Sequence, residues 1–448
     1  MVQLPASFIQ SLETAPGFSK ASFISVHNSG EQSTSIRLNP FKPVNEFPVS
    51  VPVSKIPWTA YGYYLSQRPS FTFDPLFHAG CYYVQEASSM FLEQALKQTV
   101  DLSKPLKVLD LCAAPGGKST HIQSLVSSDS LLVSNEVIRS RANILKDNII
   151  KWGCGNVIVT NNDPADFIKL KNYFDVIVVD APCSGSGLFR KEPEAINEWS
   201  ENNVQLCSQR QQRILADVLP SLKAGGILIY STCSYSKEED EGIADWLVKE
   251  CLMVNVQCSI PHEWNITETG GGYRFWPDKV KGEGFFLACF KKLEGDEKAY
   301  KVKNKPSQVS KAEVALLQHW IKPEGRIFIK HQQTGYAWPE DQFSDFSFLL
   351  EQLRVVYSGI LTGELVRDKL VPDHSLAMSG LVPETIARTA LSKEQAIAYL
   401  QKKDTGFHTN QKGWQLVTYL DQPLGWINAL ANRVNNYYPK ELRILKEG

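Results

Sequence analysis

Between residues 107 and 290, short apolar runs recur at 108–109, 131–133, 157–159, 176–179, 227–229 and 285–290, separated by longer segments of helical period. This alternation constrains the chain more than any other feature. Apolar strands with no polar face must be covered on both sides, so the rhythm predicts a parallel α/β sheet flanked by helices. The covering pieces carry the matching signal. Residues 209–222 repeat apolar positions at Ile214, Val218 and Leu222, and 237–248 opens with acids that suit a helix N-terminus.

Before this block, residues 1–100 are richer in aromatic residues, proline and glycine, as in Ile56-Pro57-Trp58 and Tyr61-Gly62-Tyr63-Tyr64. They predict a smaller α+β leader domain, followed by the α/β unit at 101–292. Residues 293–312 are charged and lack apolar periodicity, with Lys301, Lys303 and Lys305 alternating, which marks a linker. Beyond it we expect an accessory domain at 313–390 and a terminal one at 391–448. A helix is expected from Val314 to Trp320, strands at 326–329 and 416–420, and punctuation at Gly413-Trp414 and Gly425-Trp426.

A net charge of −1 excludes a globally basic nucleic-acid binder, so any such partner must be held by local patches. Residues 1–18 lack the basic start and apolar core of a signal peptide, and no apolar stretch approaches the ~18 residues of a membrane span. A cytoplasmic chain that does not engage the membrane is expected. Its nine cysteines include no CxxC pair and no cysteine-histidine cluster of zinc spacing, so thiols rather than disulfides or a metal site are expected.

The run Val108-Leu109-Asp110 leads into Leu111-Cys112-Ala113-Ala114-Pro115-Gly116-Gly117-Lys118-Ser119 and then a helix. Small residues at such a turn let a ligand approach the backbone, and a following helix start offers free amides. Gly117-Lys118-Ser119 imitates the end of a Walker phosphate loop, but that motif needs glycine where Cys112 stands, and GxGxxG is absent too. Glu136 closes the second strand, at about the offset from Asp110 where nucleotide-binding α/β folds set an acid against ribose hydroxyls. Asp163, just after the third strand, is placed to accept from an adenine amino group, and Asp180 closes the fourth. These strand ends face one crevice, where open α/β sheets bind ligands.

Two of the cysteines follow neighbouring strands. Asp180-Ala181-Pro182-Cys183-Ser184-Gly185 closes one run, and Ser231-Thr232-Cys233-Ser234 closes the next. With the loop at 109–118, these motifs resemble those of the S-adenosylmethionine-dependent RNA cytosine-5 methyltransferases. Further similarity lies at Phe77-His78-Ala79-Gly80 through Val84-Gln85-Glu86-Ala87-Ser88-Ser89 and at Arg274-Phe275-Trp276-Pro277 through Gly284-Phe285-Phe286, so the likeness covers about 37–292. The end of the chain, from Gly413-Trp414 through Pro423-Leu424-Gly425-Trp426 to Tyr437-Tyr438-Pro439-Lys440, is similar to the PUA-related RNA-binding tail of bacterial small-subunit ribosomal RNA methyltransferases of the F type.

The resemblance implies a Rossmann-like methyltransferase sheet with an N-terminal α+β domain and a C-terminal PUA-like region. It also implies S-adenosylmethionine as cofactor, held by Cys112, Ala113, Ala114, Pro115, Gly116, Gly117, Lys118, Glu136, Asp163 and Asp180. Cys233 is then the nucleophile that adds to C6 of cytosine, Cys183 assists its release, and a buried Asp180 contacts N3. Such covalent addition suits a ring whose C5 is a poor nucleophile. Gly185-Ser186-Gly187 is expected to be a mobile loop, with Arg190-Lys191 neutralising phosphates. The target base must be unpaired or flipped out of its helix, so the expected partner is structured RNA, small-subunit ribosomal RNA or the assembling subunit, bound by a monomer. Transfer RNA is the alternative substrate and a non-catalytic assembly factor the alternative role. A DNA cytosine methyltransferase would use Cys183 as nucleophile with a Glu-Asn-Val triplet, which is absent.

Overall fold

The computed structural model describes residues 4–45, 47–295, 300–303, 306–406, 409 and 411–446. Residues 296–299, 304 and 305, including Lys305 of the expected linker, lie outside the described residues.

The described residues form four sheets, of which a ten-stranded one is central. Its spine consists of β1 (Lys107–Asp110), β2 (Leu131–Asn135), β3 (Val157–Thr160), β4 (Phe174–Asp180), β5 (Leu222–Thr232), β6 (Phe285–Lys292) and β7 (Val355–Ser358). They lie in the order β6-β5-β4-β1-β2-β3-β7. The strands from β1 to β5 are mutually parallel, and the order reverses between β1 and β4, the switch point at which such sheets open a crevice. The fold is thus a Rossmann-like α/β architecture with smaller α+β and β-rich regions at either end.

The direction of β6 corrects the sequence reading, which counted 285–290 within a parallel sheet. β6 runs antiparallel to β5, with Ala288 opposite Tyr230. An apolar run reports burial on both faces and carries no information about direction. Phe285, Leu287 and Cys289 enter one core while Phe286, Ala288 and Phe290 enter the other. The same two-faced burial places Val176 and Val178 opposite Ile177 and Val179 in β4. Each of the Val, Ile, Leu and Phe side chains among them contributes about 1.5–3 kcal/mol.

Four helices matter to the crevice: α1 (Gly117–Gln123), α2 (Arg139–Trp152), α3 (Glu201–Val218) and α4 (Glu241–Lys249). The periodicity at 209–222 overran α3. Pro220 cannot continue a helix, and Leu222 already begins β5. The helix also starts earlier than the periodicity suggested, where the Ser200 hydroxyl accepts from the Asn203 amide.

The N-terminal sheet orders its strands Val53–Lys55, Gly62–Leu65, Thr34–Leu38 and Tyr82–Val84. It shares a core with the last sheet (Arg388–Ala390, Gly413–Tyr419, Gln422–Ala429 and Val434–Asn436) and the helix Lys393–Leu400, Ile36, Leu65 and Tyr82 packing with Val417, Leu424 and Tyr399, so the two ends of the chain meet. The segment expected as an accessory domain supplies β7, whose Tyr357 pairs antiparallel with Val159 of β3 and covers that edge of the central sheet. No described helix is long and apolar enough to cross a membrane, and no described group of three or more His, Cys, Asp or Glu side chains could hold a metal ion.

Candidate active site

β1, β2, β4 and β5 end on the same side of the sheet, and their C-terminal residues surround two adjoining cavities. One, of about 530 Å3, is walled by Leu111, Cys112, Ala114, Glu136, Ile138 and Pro164 and reaches Asp180, Cys183 and Cys233. The other, of about 310 Å3, is walled by Lys118, Glu283, Gly284 and Phe285 and by Tyr83 to Glu86. Cys112, Ala114, Asp180, Leu188 and Cys233 belong to both, so the expected nucleophile stands where they join. A larger cavity of about 750 Å3, between α2, residues 329–358 and Pro439, contains neither cysteine.

The first cavity fits a nucleoside-bearing cofactor. Glu136 is only 3% exposed, with one carboxylate oxygen accepting from the Ile138 amide at 2.9 Å. The loop passes low between the two cavities because Ala113, Ala114, Gly116 and Gly117 carry little or no side chain, with Cys112 and Ala114 walling the first. Gly116 has φ +114°, and a Cβ there would stand 3.3 Å from Leu145 Cδ1 and 3.4 Å from Asn148 Cβ of α2. Glycine satisfies both the conformation and the packing. Beneath the loop, Asp110 is fully buried. Its Oδ2 accepts from Ser119 Oγ at 2.6 Å, while Oδ1 has no hydrogen-bond partner among the described residues. Burial pushes its pKa up to about 7.

The expected cofactor residues divide between the cavities. Ala113, Pro115, Gly117 and Lys118 line only the second, and Lys118 turns toward Asp180, with Nζ 2.7 Å from Oδ2. Asp163 flanks the first cavity through its neighbour Pro164. Its Oδ1 caps the Ala165 amide at 3.1 Å and meets Arg213 at 3.2 Å. The sequence reading expected a buried carboxyl at Asp180, but its side chain is 37% exposed and held by Lys118 and by Ser231 Oγ at 2.8 Å. That exposure follows from its place at the open end of β4.

The two cysteine sulfurs lie 3.0 Å apart as free thiols. β4 and β5 are adjacent and in register through Asp180 and Ser231, which brings the following loops together. Contact with the Cys233 sulfur, and then burial, raises the Cys183 thiol well above its ordinary value. Burial also pushes Cys112 far up, so Cys112 sits beside the pair as a neutral thiol.

Sequence reasoning missed the residues that hold the loops. Ser184 and Ser234 both donate to the buried Glu239 carboxylate, at 2.5 and 2.6 Å. Their one sequence signal was that each follows a motif cysteine. Arg190, expected at RNA phosphates, is instead built into the protein. It is 8% exposed, donates to the Gly282 carbonyl at 3.1 Å and faces Glu283 at 3.6 Å, while Lys191 lines the second cavity.

Residues 97–291 match the family of 16S rRNA methyltransferase RsmB/F, residues 4–87 the N-terminal domain of 16S rRNA methyltransferase RsmF, and residues 387–444 the methyltransferase RsmF PUA domain. The ribosomal RNA small subunit methyltransferase F of Shewanella piezotolerans is 30% identical over 404 residues, 86% of this chain and 85% of that one. The chain belongs to the RsmF family. The family protein of Pectobacterium atrosepticum is 29% identical over 438 residues, covering 91% of this chain and 89% of that one.

Among solved structures, PH0851 superposes with a TM-score of 0.58 at 26% identity, covering 64% of this RsmF-family chain and 66% of the other. NSun6 from Pyrococcus horikoshii, solved with the S-adenosylmethionine analogue SFG, superposes at 0.56 over 65% of this chain and 99% of that one. At 19% identity that likeness concerns the fold.

Proposed function

We propose that this RsmF-family chain methylates C5 of an unpaired cytosine in 16S ribosomal RNA, through a covalent bond between Cys233 and C6. The observation that carries this reading is the 3.0 Å approach of Cys183 and Cys233 at the junction of the two cavities, beside Asp180 and Lys118. Membership of a family named for 16S rRNA supports the substrate, and the match of 387–444 to a PUA domain supports an RNA partner.

In this reading the cofactor is S-adenosylmethionine, whose sulfonium supplies an electrophilic methyl group. Glu136 holds the ribose hydroxyls, the Asp163 oxygen opposite its capped one accepts from the adenine amine, and the small residues of 112–117 let the rest approach the backbone. The base enters the second cavity. The Cys233 thiol gives up its proton to solvent as its sulfur forms the C6–S bond, and the C5=C6 electron pair shifts into the ring, where the Lys118 ammonium, held in place by Asp180, stabilises the negative charge gathered around N3. Groups so placed typically contribute about 10²–10⁴-fold.

Once C5 bears both hydrogen and methyl, the bond to C5–H breaks and its proton passes to water. Its electron pair re-forms C5=C6, the C6–S bond breaks, and the departing electrons remain on the Cys233 sulfur. The Cys183 thiol, 3.0 Å away, protonates that sulfur and later regains its proton from solvent. Its raised pKa suits a group that must still carry its proton when release begins.

The test is bisulfite mapping of ribosomal and transfer RNA from a strain lacking the gene, combined with gel detection of a covalent protein–RNA complex. Loss of 5-methylcytosine from 16S RNA and a complex abolished by Cys233→Ala are expected. A loss confined to transfer RNA, or a complex that survives Cys233→Ala, would overturn the assignment.

A further inference from the structure

Glu239 lies in the turn between β5 and α4 and is completely buried. Neither cavity reaches it, yet its carboxylate touches both cysteine loops. One oxygen accepts from the Ser184 amide at 2.7 Å. The other accepts from Ser184 Oγ at 2.5 Å and Ser234 Oγ at 2.6 Å. Gln211 of α3 adds a longer contact at 3.4 Å and also donates to the Pro182 carbonyl at 3.1 Å.

The two loops have other ties: Ser184 Oγ and Ser234 Oγ also meet each other at a longer 3.4 Å, and the remaining short bonds fasten different points. The Gly187 amide donates to the Cys233 carbonyl at 2.8 Å, and the Tyr235 amide donates to Ser186 Oγ at 2.9 Å. Those bonds fix the outer limb of the Gly185-Ser186-Gly187 turn, which is folded onto its neighbour rather than free as the sequence reading expected. Among the described residues, only the Glu239 carboxylate makes short hydrogen bonds to the residues directly following both cysteines. A buried carboxylate is expensive without hydrogen-bond donors, and here short bonds from side chains and backbone supply them. Burial still raises its pKa, and its charge is one of the influences that raise Cys183.

We propose that Glu239 is a positioning residue whose carboxylate clamps Ser184 to Ser234 and thereby sets the separation of the two sulfurs on which release of the methylated base depends. The inference rests on the two-cysteine reading above. Attack needs Cys233 alone, whereas release needs the Cys183 thiol beside the departing sulfur. Loosening the clamp therefore acts on one step more than on the other. A merely structural residue would slow both in proportion.

Glu239→Gln keeps the size of the side chain but leaves a single oxygen to accept from these donors. With a target RNA fragment and S-adenosylmethionine under single-turnover conditions, adduct formation should stay within about 3-fold of wild type while release slows about 10-fold or more, so that the complex accumulates. Ser184→Ala removes one hydroxyl from the clamp and should shift the balance in the same direction by a smaller factor, which keeps the test open if Glu239→Gln folds poorly. Cys183→Ala is the reference. If it accumulates adduct while neither clamp variant does, or if both steps slow equally in them, Glu239 has no positioning role. If Cys183→Ala itself accumulates none, the two-cysteine reading falls and takes the clamp with it.

Discussion

Lys118 Nζ stands 2.7 Å from Asp180 Oδ2, while Ser231 donates to Oδ1, so two donors from different elements fix this carboxylate where the two cavities join. The pair is partly exposed, and such pairs contribute little to stability. Lys118→Met should therefore unfold within a few degrees of wild type yet lose about 100-fold in the rate of adduct formation. Differential scanning calorimetry and quenched single-turnover gels measure the two quantities. A large stability loss with unchanged adduct formation would refute the role.

The raised Cys183 thiol carries its own prediction. Because the thiolate is the reactive form, Cys183 should resist iodoacetamide at pH 8 in the folded protein and label fully on denaturation. Peptide mass spectrometry reads this directly. Rapid native labelling of Cys183 would show that the sulfur does not hold its proton.

Gly116 combines φ +114° with close packing on α2. Gly116→Ala should lower stability by about 1–2 kcal/mol and weaken cofactor binding about 10-fold or more, because relieving the strain shifts the loop that walls the cofactor cavity. Urea unfolding and titration calorimetry with S-adenosylmethionine test the two effects separately. Undiminished affinity would mean that the loop tolerates the shift.

Asp110 gives a stability prediction whose sign follows from burial. Its folded pKa, about 7, lies above the ordinary 3.8, so the folded state holds the proton more tightly than the unfolded chain. The group therefore lowers stability progressively as pH rises from about 4 to 7, by a ceiling of roughly 4 kcal/mol. Asp110→Asn removes this dependence. Relative to wild type, the variant should gain about 1–3 kcal/mol between pH 4.5 and 7.5 in urea titrations. A difference independent of pH would show that Asp110 stays charged when folded.

Strand positions were legible because Val108, Val133, Ile158, Ile177 and Ile229 are buried in runs that only a doubly covered sheet can accommodate. The cysteines were legible because each ends such a run. Direction was not, since Phe285 to Phe290 bury both faces whichever way the strand points. Nor was Glu239, which lies in a stretch of charged residues that reads as a solvated helix start until the fold brings Ser184 to it. Arg190 shows the opposite error. A basic residue in a glycine-rich loop reads as a phosphate contact, and only the packed structure reveals the backbone carbonyls that occupy it.

The pairing of β7 with β3 has a consequence for how the chain is made. Once residues 1–292 have emerged from the ribosome, every strand from β1 to β6 is available, yet the nascent sheet still presents the row of open backbone groups along β3. Only when synthesis passes Ser358 can that edge close. The methyltransferase unit is thus finished by a segment translated well after it, and a protein cut at residue 292 should self-associate through the bare edge even though its catalytic motifs are all present.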